Sequence, residues 1–191
     1  MNMKKWLPMG IVAGVIFIMF FTIIATYNSL ITKQEAVKTA WSQVENQYQR
    51  RFDLIPNLVE TVKGFAKQER EILTEVARLR SQWGKARSAG DIAQAQESAR
   101  GLDGALSRLL LVVERYPDLK SNQNFLRLQD QLEGTENRIS VERRRYNLAV
   151  QTYNVATRRF PTSIMASTFG FDRMVFFEAE GAAKKAPKVS L

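Results

Sequence analysis

The sequence predicts an all-α protein in which an N-terminal transmembrane helix continues into an antiparallel, up-and-down four-helix bundle. Three observations carry that prediction. Trp6 to Thr26 contains no charged residue. Positions 37, 41, 44, 48, 51, 55, 58, 62, 65, 69, 72, 76, 79 and 83 step alternately by four and three, and twelve of these fourteen are apolar. Such a seam is the signature of helix packed on helix. A second seam of the same spacing runs from Phe125 to Phe160, just before Pro161.

Residues 1–26 read as the anchor. Leu7 to Ala25 is nineteen residues, about 29 Å as a helix, against a hydrocarbon core of roughly 30 Å. A cleaved signal peptide has an apolar region of about 7–15 residues and ends in a small-x-small site. This run is longer, and Ile23-Ile24-Ala25 makes a poor cleavage site. Lys4, Lys5 and the amino terminus flank the run directly, whereas Lys33 and Lys38 lie a turn or more beyond it. That bias predicts a cytoplasmic N-terminus with the bulk of the chain on the other side. Gly10 and Gly14 form a small-xxx-small pair that lets two spans approach closely.

Residues 27–160 read as the bundle. The first helix places Val37, Trp41, Val44 and Tyr48 inward. The charged cluster at Arg50-Arg51-Phe52-Asp53 and the proline at 56 then interrupt the seam, with two possible outcomes. Either the chain turns a corner near 51–55, with Asp53 capping a second helix whose first turn accommodates Pro56, or one helix runs through. The corner is preferred, because a rod of about 85 Å would outrun the helices that must cover it. It would also leave Arg51 exposed. The second helix runs to about Arg87, where Ser88-Ala89-Gly90-Asp91 supplies a break and a new cap. The third runs from Ile92 to Tyr116 and stops at Pro117. The fourth begins at Ser121 or Asn122 and ends at Pro161. Short loops between such helices make an up-and-down bundle.

Parity then fixes an end. Four alternating helices return Phe160 to the level of Tyr27 to Ile31. The aromatic segment 161–178, with Phe169, Phe171, Phe176 and Phe177, is therefore expected beside the membrane. There it packs over the base of the bundle, docks into the lipid interface or meets a partner. Arg158, Arg159 and Arg173 flank it at a depth suited to lipid phosphate. Residues 179–191, rich in Ala and Lys with Pro187, read as a flexible tail.

Composition narrows the chemistry. The 191-residue chain has no Cys and no His, which excludes disulfides and thiolate nucleophiles and removes the commonest general base and metal ligand. Its 28 basic and 19 acidic residues give a net charge of +9. That excess suits anionic surfaces such as lipid headgroups, or serves solubility alone. The basic clusters Arg143-Arg144-Arg145, Arg158-Arg159 and Lys184-Lys185 lack interleaved aromatics, so nucleic acid is not an expected partner. Glu69 and Glu142 hold seam positions that should be apolar. A carboxylate-bridged metal site in a bundle needs several inward carboxylates and a Glu-x-x-His pair. Without His, both glutamates read as structural partners of an Arg or Asn. No catalytic residue, cofactor, metal ligand or small-molecule substrate is predicted.

From Tyr27-Asn28-Ser29-Leu30 to the C-terminus the chain resembles the LemA family. The likeness lies in Arg50 through Gly64 (Arg-Arg-Phe-Asp-Leu-Ile-Pro-Asn-Leu-Val-Glu-Thr-Val-Lys-Gly) and in Tyr116-Pro117-Asp118-Leu119-Lys120. It continues through Glu136-Asn137-Arg138-Ile139, Arg145-Tyr146-Asn147, Tyr153-Asn154, Phe160-Pro161 and Phe169-Gly170-Phe171. The resemblance implies a bacterial protein with one N-terminal span and a helical bundle, and brings no established activity, cofactor or catalytic residue. One departure is Phe176-Phe177-Glu178, where the family leads one to expect Tyr-Phe-Glu.

Structural or interaction roles are expected at Arg51, Asp53, Pro56, Asn57, Tyr116, Pro117, Phe160, Pro161, Phe169 and Phe171. The expected function is a non-enzymatic scaffold or protein-interaction module of the envelope, single-pass in the cytoplasmic membrane, that self-associates or binds other envelope proteins. An anionic-lipid or membrane-remodelling module is the first alternative. A hydrolase using Asp, Glu or Lys is the second, and it requires a deep cleft lined by such groups.

Overall fold

The computed structural model describes residues 3–66 and 69–177, with residues 3–10 described by backbone alone. The expected tail 179–191 lies outside the described residues, as does Glu178. Six helices are present among the described residues: α1 (Met3–Phe65), α2 (Arg70–Ala89), α3 (Ile92–Val113), α4 (Pro117–Lys120), α5 (Gln123–Arg158) and α6 (Thr162–Phe169). The all-α class is as expected. The chain divides into two compact units, one formed by Met1–Trp41 with Arg145–Phe176 and the other by Ser42–Arg144 with Phe177–Leu191.

The corner at 51–55 is absent. α1 is one helix of 63 residues that passes through Pro56. Proline in a helix interior removes one hydrogen bond and crowds the carbonyl four residues earlier. Pro56 is exposed, as are Asp53 and Asn57, so the disturbance falls on the solvent face while the seam opposite stays intact. Val37, Trp41, Val44, Tyr48, Arg51, Ile55, Leu58 and Val62 are all buried. Asp53 caps nothing; it accepts a hydrogen bond from Gln49 Nε2 at 2.7 Å within the same helix. No rod of about 85 Å has to be covered beyond the span, because the seam from 37 to 83 is divided between α1, which ends at Phe65, and α2, which begins at Arg70. The chain turns between Phe65 and Arg70, just past Gly64, and the part of α1 beyond the span is close in length to the 36-residue α5.

The other boundaries follow their caps. Gly90 ends α2 in the left-handed region (φ 70°), where a residue with a Cβ is strained. Asp91 then caps α3, its side chain accepting from Gln94 N at 3.0 Å. α3 ends at Val113 rather than Tyr116, and Pro117 occupies the first position of the short α4. Asn122 caps α5, accepting from the backbone N–H groups of Asn124 and Phe125 at 3.0 and 3.1 Å.

In the second unit the later part of α1 packs with α2, α3 and the first part of α5. Phe52 meets Trp83 with ring centroids 4.3 Å apart. Gly101 lets α3 approach α2 so closely that a Cβ there would lie 2.9 Å from Leu79 Cδ2. In the first unit the early part of α1 is exposed through the apolar run, and below Leu30 it has no buried side chain among residues 11–29. Among the described residues α1 is the one helix long and apolar enough to cross a membrane.

Candidate functional site

Two arrangements stand out, one in each unit. The second unit holds a buried charge cluster built on Arg51. Its Nη1 donates to Asp103 Oδ1 at 2.7 Å and to Glu136 Oε2 at 2.5 Å. Arg143 donates to Asp103 Oδ2 at 2.5 Å and to the Tyr48 hydroxyl. The Tyr48 hydroxyl also lies 3.4 Å from Asp103 Oδ2 and donates to it. The Arg143 guanidinium lies 4.4 Å from the ring centre of Phe177 and 5.4 Å from that of Tyr48. α1, α3 and α5 each contribute charge. Two cations face two anions, so the cluster is neutral as a set.

Burial of this kind costs desolvation, and it is tolerated when each charge finds a partner. Arg51 and Asp103 keep 8% and 9% of their side-chain exposure, whereas Glu136 keeps 44%. Asp103 is the hinge of the set, because it alone receives both arginines. Sequence reasoning singles out Arg51 as a polar residue in the seam but leaves it exposed at a corner; the uninterrupted helix carries it inward. It misses Asp103, Glu136 and Arg143. The available signal was Asp103, a charge among the leucines of α3 between Leu102 and Leu106, on a side that also buries Gln96 and Ser98.

A smaller pairing lies elsewhere in the same unit. Glu69 accepts from Arg115 Nη2 at 3.0 Å and from the Tyr116 hydroxyl at 3.4 Å. This is the structural pairing expected for a seam carboxylate, and it gives Tyr116 its place. Glu142 is half-buried. Asn57 is exposed and its carbonyl accepts from the Thr61 hydroxyl at 2.8 Å. Among the described residues no three of His, Cys, Asp and Glu gather as a metal-binding group.

The first unit holds the aromatic segment. Tyr27 on α1 meets Phe169 at 5.2 Å and Phe171 at 5.6 Å between ring centroids. The segment thus meets α1 at Tyr27 within this unit, although α1 runs unbroken through Pro56 and the parity count that assumed a corner there does not apply. Its aromatics divide. Phe171 is buried and Phe169 is half exposed, while Phe160 is 81% exposed and leaves the α5 seam. The seam drifts in the last turns of α5, where Val150, Tyr153 and Thr157 are buried and Ala149 and Ala156 only half so. Pro161 follows a cis peptide bond and stands at the N-terminal boundary of α6.

Residues 171–177 form no regular secondary structure and are laced to α5 through the main chain of Asp172, Met174 and Val175. Asn154 Nδ2 donates to Met174 O at 2.8 Å, and Met174 N donates to Asn154 Oδ1 at 3.0 Å. Tyr153 donates to Asp172 O at 3.0 Å and Tyr146 to Val175 O at 2.8 Å. Burial, and next to it the Asp172 charge, raise the Tyr153 hydroxyl above its ordinary value of 10.0. Above the apolar run, α1, α5 and α6 enclose an open cleft of about 740 Å³ that Arg159 helps to line. Arg158 and Arg173 are exposed and do not line it. Gly14 has open space around it, and Gly10 falls where backbone alone is described.

The model of the LemA family matches residues 40–191. The chain is also similar to Magnetosome protein MamQ 2 of Paramagnetospirillum magneticum, 29% identical over 184 residues that cover 84% of this chain and 68% of that protein. Magnetosome protein MamQ of Magnetospirillum gryphiswaldense is similar to the same extent. Protein LemA of Metamycoplasma hominis is 24% identical, with 93% of this chain and 84% of that protein covered.

Proposed function

Because this chain belongs to the LemA family, we propose that it is a membrane-anchored helical scaffold, without enzymatic activity, that assembles with itself or with other proteins of the bacterial envelope. The observation that carries this reading is the charge cluster. Arg51, Arg143, Asp103 and Glu136 are bound to one another, two cations against two anions, with the Phe177 ring over Arg143. A catalytic set keeps a group available to a substrate; this one serves to fix α1, α3 and α5 in register. The anchor fits the same role, since α1 passes from the apolar run into the bundle as a single helix without a linker. Similarity to proteins whose names give the magnetosome and no reaction is in keeping with it.

In this reading residues 1–26 are the anchor in the cytoplasmic membrane, 27–160 the bundle, 161–178 a membrane-proximal aromatic segment and 179–191 a tail. Lys4 and Lys5 favour a cytoplasmic N-terminus with the bundle on the far side. Protease added to intact spheroplasts should then degrade the bundle; protection until the membrane is opened reverses the orientation.

The test of the scaffold is a crosslinking census in native membranes, comparing the full chain with one truncated after the span. Proteins captured by the full chain alone are the expected result. The same set captured by both would remove the bundle from the role.

A further inference from the structure

The cleft above the apolar run has the composition of a phosphate receptor and the depth of a lipid headgroup. Resting on the reading that α1 spans a bilayer, we propose that it binds the headgroup of an anionic phospholipid. Its cations are Lys33 on α1 and Arg159 just past the end of α5. Lys33 is half-buried and donates one hydrogen bond, to Ser29 Oγ at 2.8 Å, which leaves two ammonium N–H groups for a ligand. Among the described residues no carboxylate lines the cleft, so none answers the two positive charges there. Hydroxyls of Thr26, Ser29 and Thr162 and the Gln151 amide add neutral hydrogen-bonding groups to the same walls.

Depth distinguishes a lipid from a free anion. Thr26 ends the charge-free run and Lys33 lies seven residues further, about 10 Å along a helix. The polar layer of a bilayer is roughly 5–8 Å deep on each side. Lys33 therefore reaches the outer edge of that layer while Thr22, at the cleft's other end, stands in hydrocarbon. Ala25, Leu30, Val155 and Ala156 give the cleft an apolar wall. Below it the exposed side chains of the span continue downward. A phosphate held by Lys33 and Arg159 thus has a path for its acyl chains, which a soluble phosphate would not use. A cation near an anionic membrane surface contributes about a fivefold gain in affinity.

The test uses the full chain in phosphatidylcholine vesicles containing trace spin-labelled phosphatidylglycerol or spin-labelled phosphatidylcholine. The immobilised fraction of each label gives the relative affinity at the protein surface. Phosphatidylglycerol should be preferred by roughly twenty-five-fold, about fivefold for each cation. Arg159→Gln and Lys33→Gln should each lower that preference about fivefold; Arg159→Lys should retain most of it and Arg158→Gln all of it. Ala156→Leu, which fills the cleft without touching charge, should lower it as well. An equal loss from Arg158→Gln would mean diffuse attraction and overturn the site. Full displacement of the lipid label by millimolar inorganic phosphate would overturn the assignment to lipid. Flotation with the vesicles and no lipid preference would overturn the cleft alone, whereas failure to float would overturn the spanning reading and the cleft with it.

Discussion

Replacing Asp103 by Asn keeps its shape and removes its charge, and the structure indicates what that does to the bundle. Arg51 then keeps Glu136 as its carboxylate partner, and Glu136 is the most hydrated member at 44% side-chain exposure. Arg51 retains 8% exposure and cannot recover the lost partner from water without opening the helix packing. Removing one member of a buried ion pair costs about 3–5 kcal/mol. Asparagine keeps one acceptor, so the lower end applies, about 3 kcal/mol. For a domain of this size that is a fall in Tm of roughly 6–12 °C.

Glu136→Gln should cost much less, about 1 kcal/mol, because solvent already screens that carboxylate. Both are read from thermal unfolding of the full chain in detergent, followed by helical circular dichroism. Raising the salt to 1 M should leave the Asp103→Asn loss nearly unchanged, since buried pairs are screened little. A loss for Asp103→Asn below about 1 kcal/mol, or no larger than that for Glu136→Gln, would refute the claim that Asp103 holds the cluster together.

Further outcomes concern the helices and the laced segment. Pro56→Ala should raise stability by up to about 3 kcal/mol, since it restores an interior hydrogen bond on an exposed face; Asp53→Ala should stay within about 0.5 kcal/mol. A loss for Asp53→Ala near the value of a helix cap would contradict the unbroken α1. Asn154→Ala should release residues 171–177, read as faster tryptic cleavage after Arg173 at unchanged helix content. Tyr153 has a raised folded-state pKa, so the native state keeps its proton where the unfolded state has lost it. Stability should therefore fall as pH climbs above about 10, and Tyr153→Phe should flatten that fall in a melting series from pH 8 to 11.

The helical class and the inner face of α1 are legible because heptad spacing records packing directly. Every seam position from Val37 to Val62 is buried, Arg51 included. The break is misplaced when a proline is weighed by its type rather than by its face. Pro56 lies outward, where losing a hydrogen bond disturbs little, and the actual turn after Phe65 carries only Gly64 as a signal. The charge cluster is half legible. A single sequence shows that Arg51 is out of place in a seam, but its partners come from helices some fifty and eighty-five residues away, and periodicity does not encode which polar residues meet. The lacing by Tyr146, Tyr153 and Asn154 is hidden for another reason. Their partners are backbone atoms, which every sequence has.

Holding a segment by its main chain sets how that segment can evolve. The three side chains on α5 grip carbonyls and an amide, at Asp172, Met174 and Val175, so they are indifferent to what those residues are and strict about where they are. Substitutions at the outward positions 172, 173, 175 and 176 leave the grip intact, while deletion of a single residue, or a proline at 174, undoes it at once. Between the buried rings of Phe171 and Phe177 the segment is free to drift in composition yet bound to a fixed length.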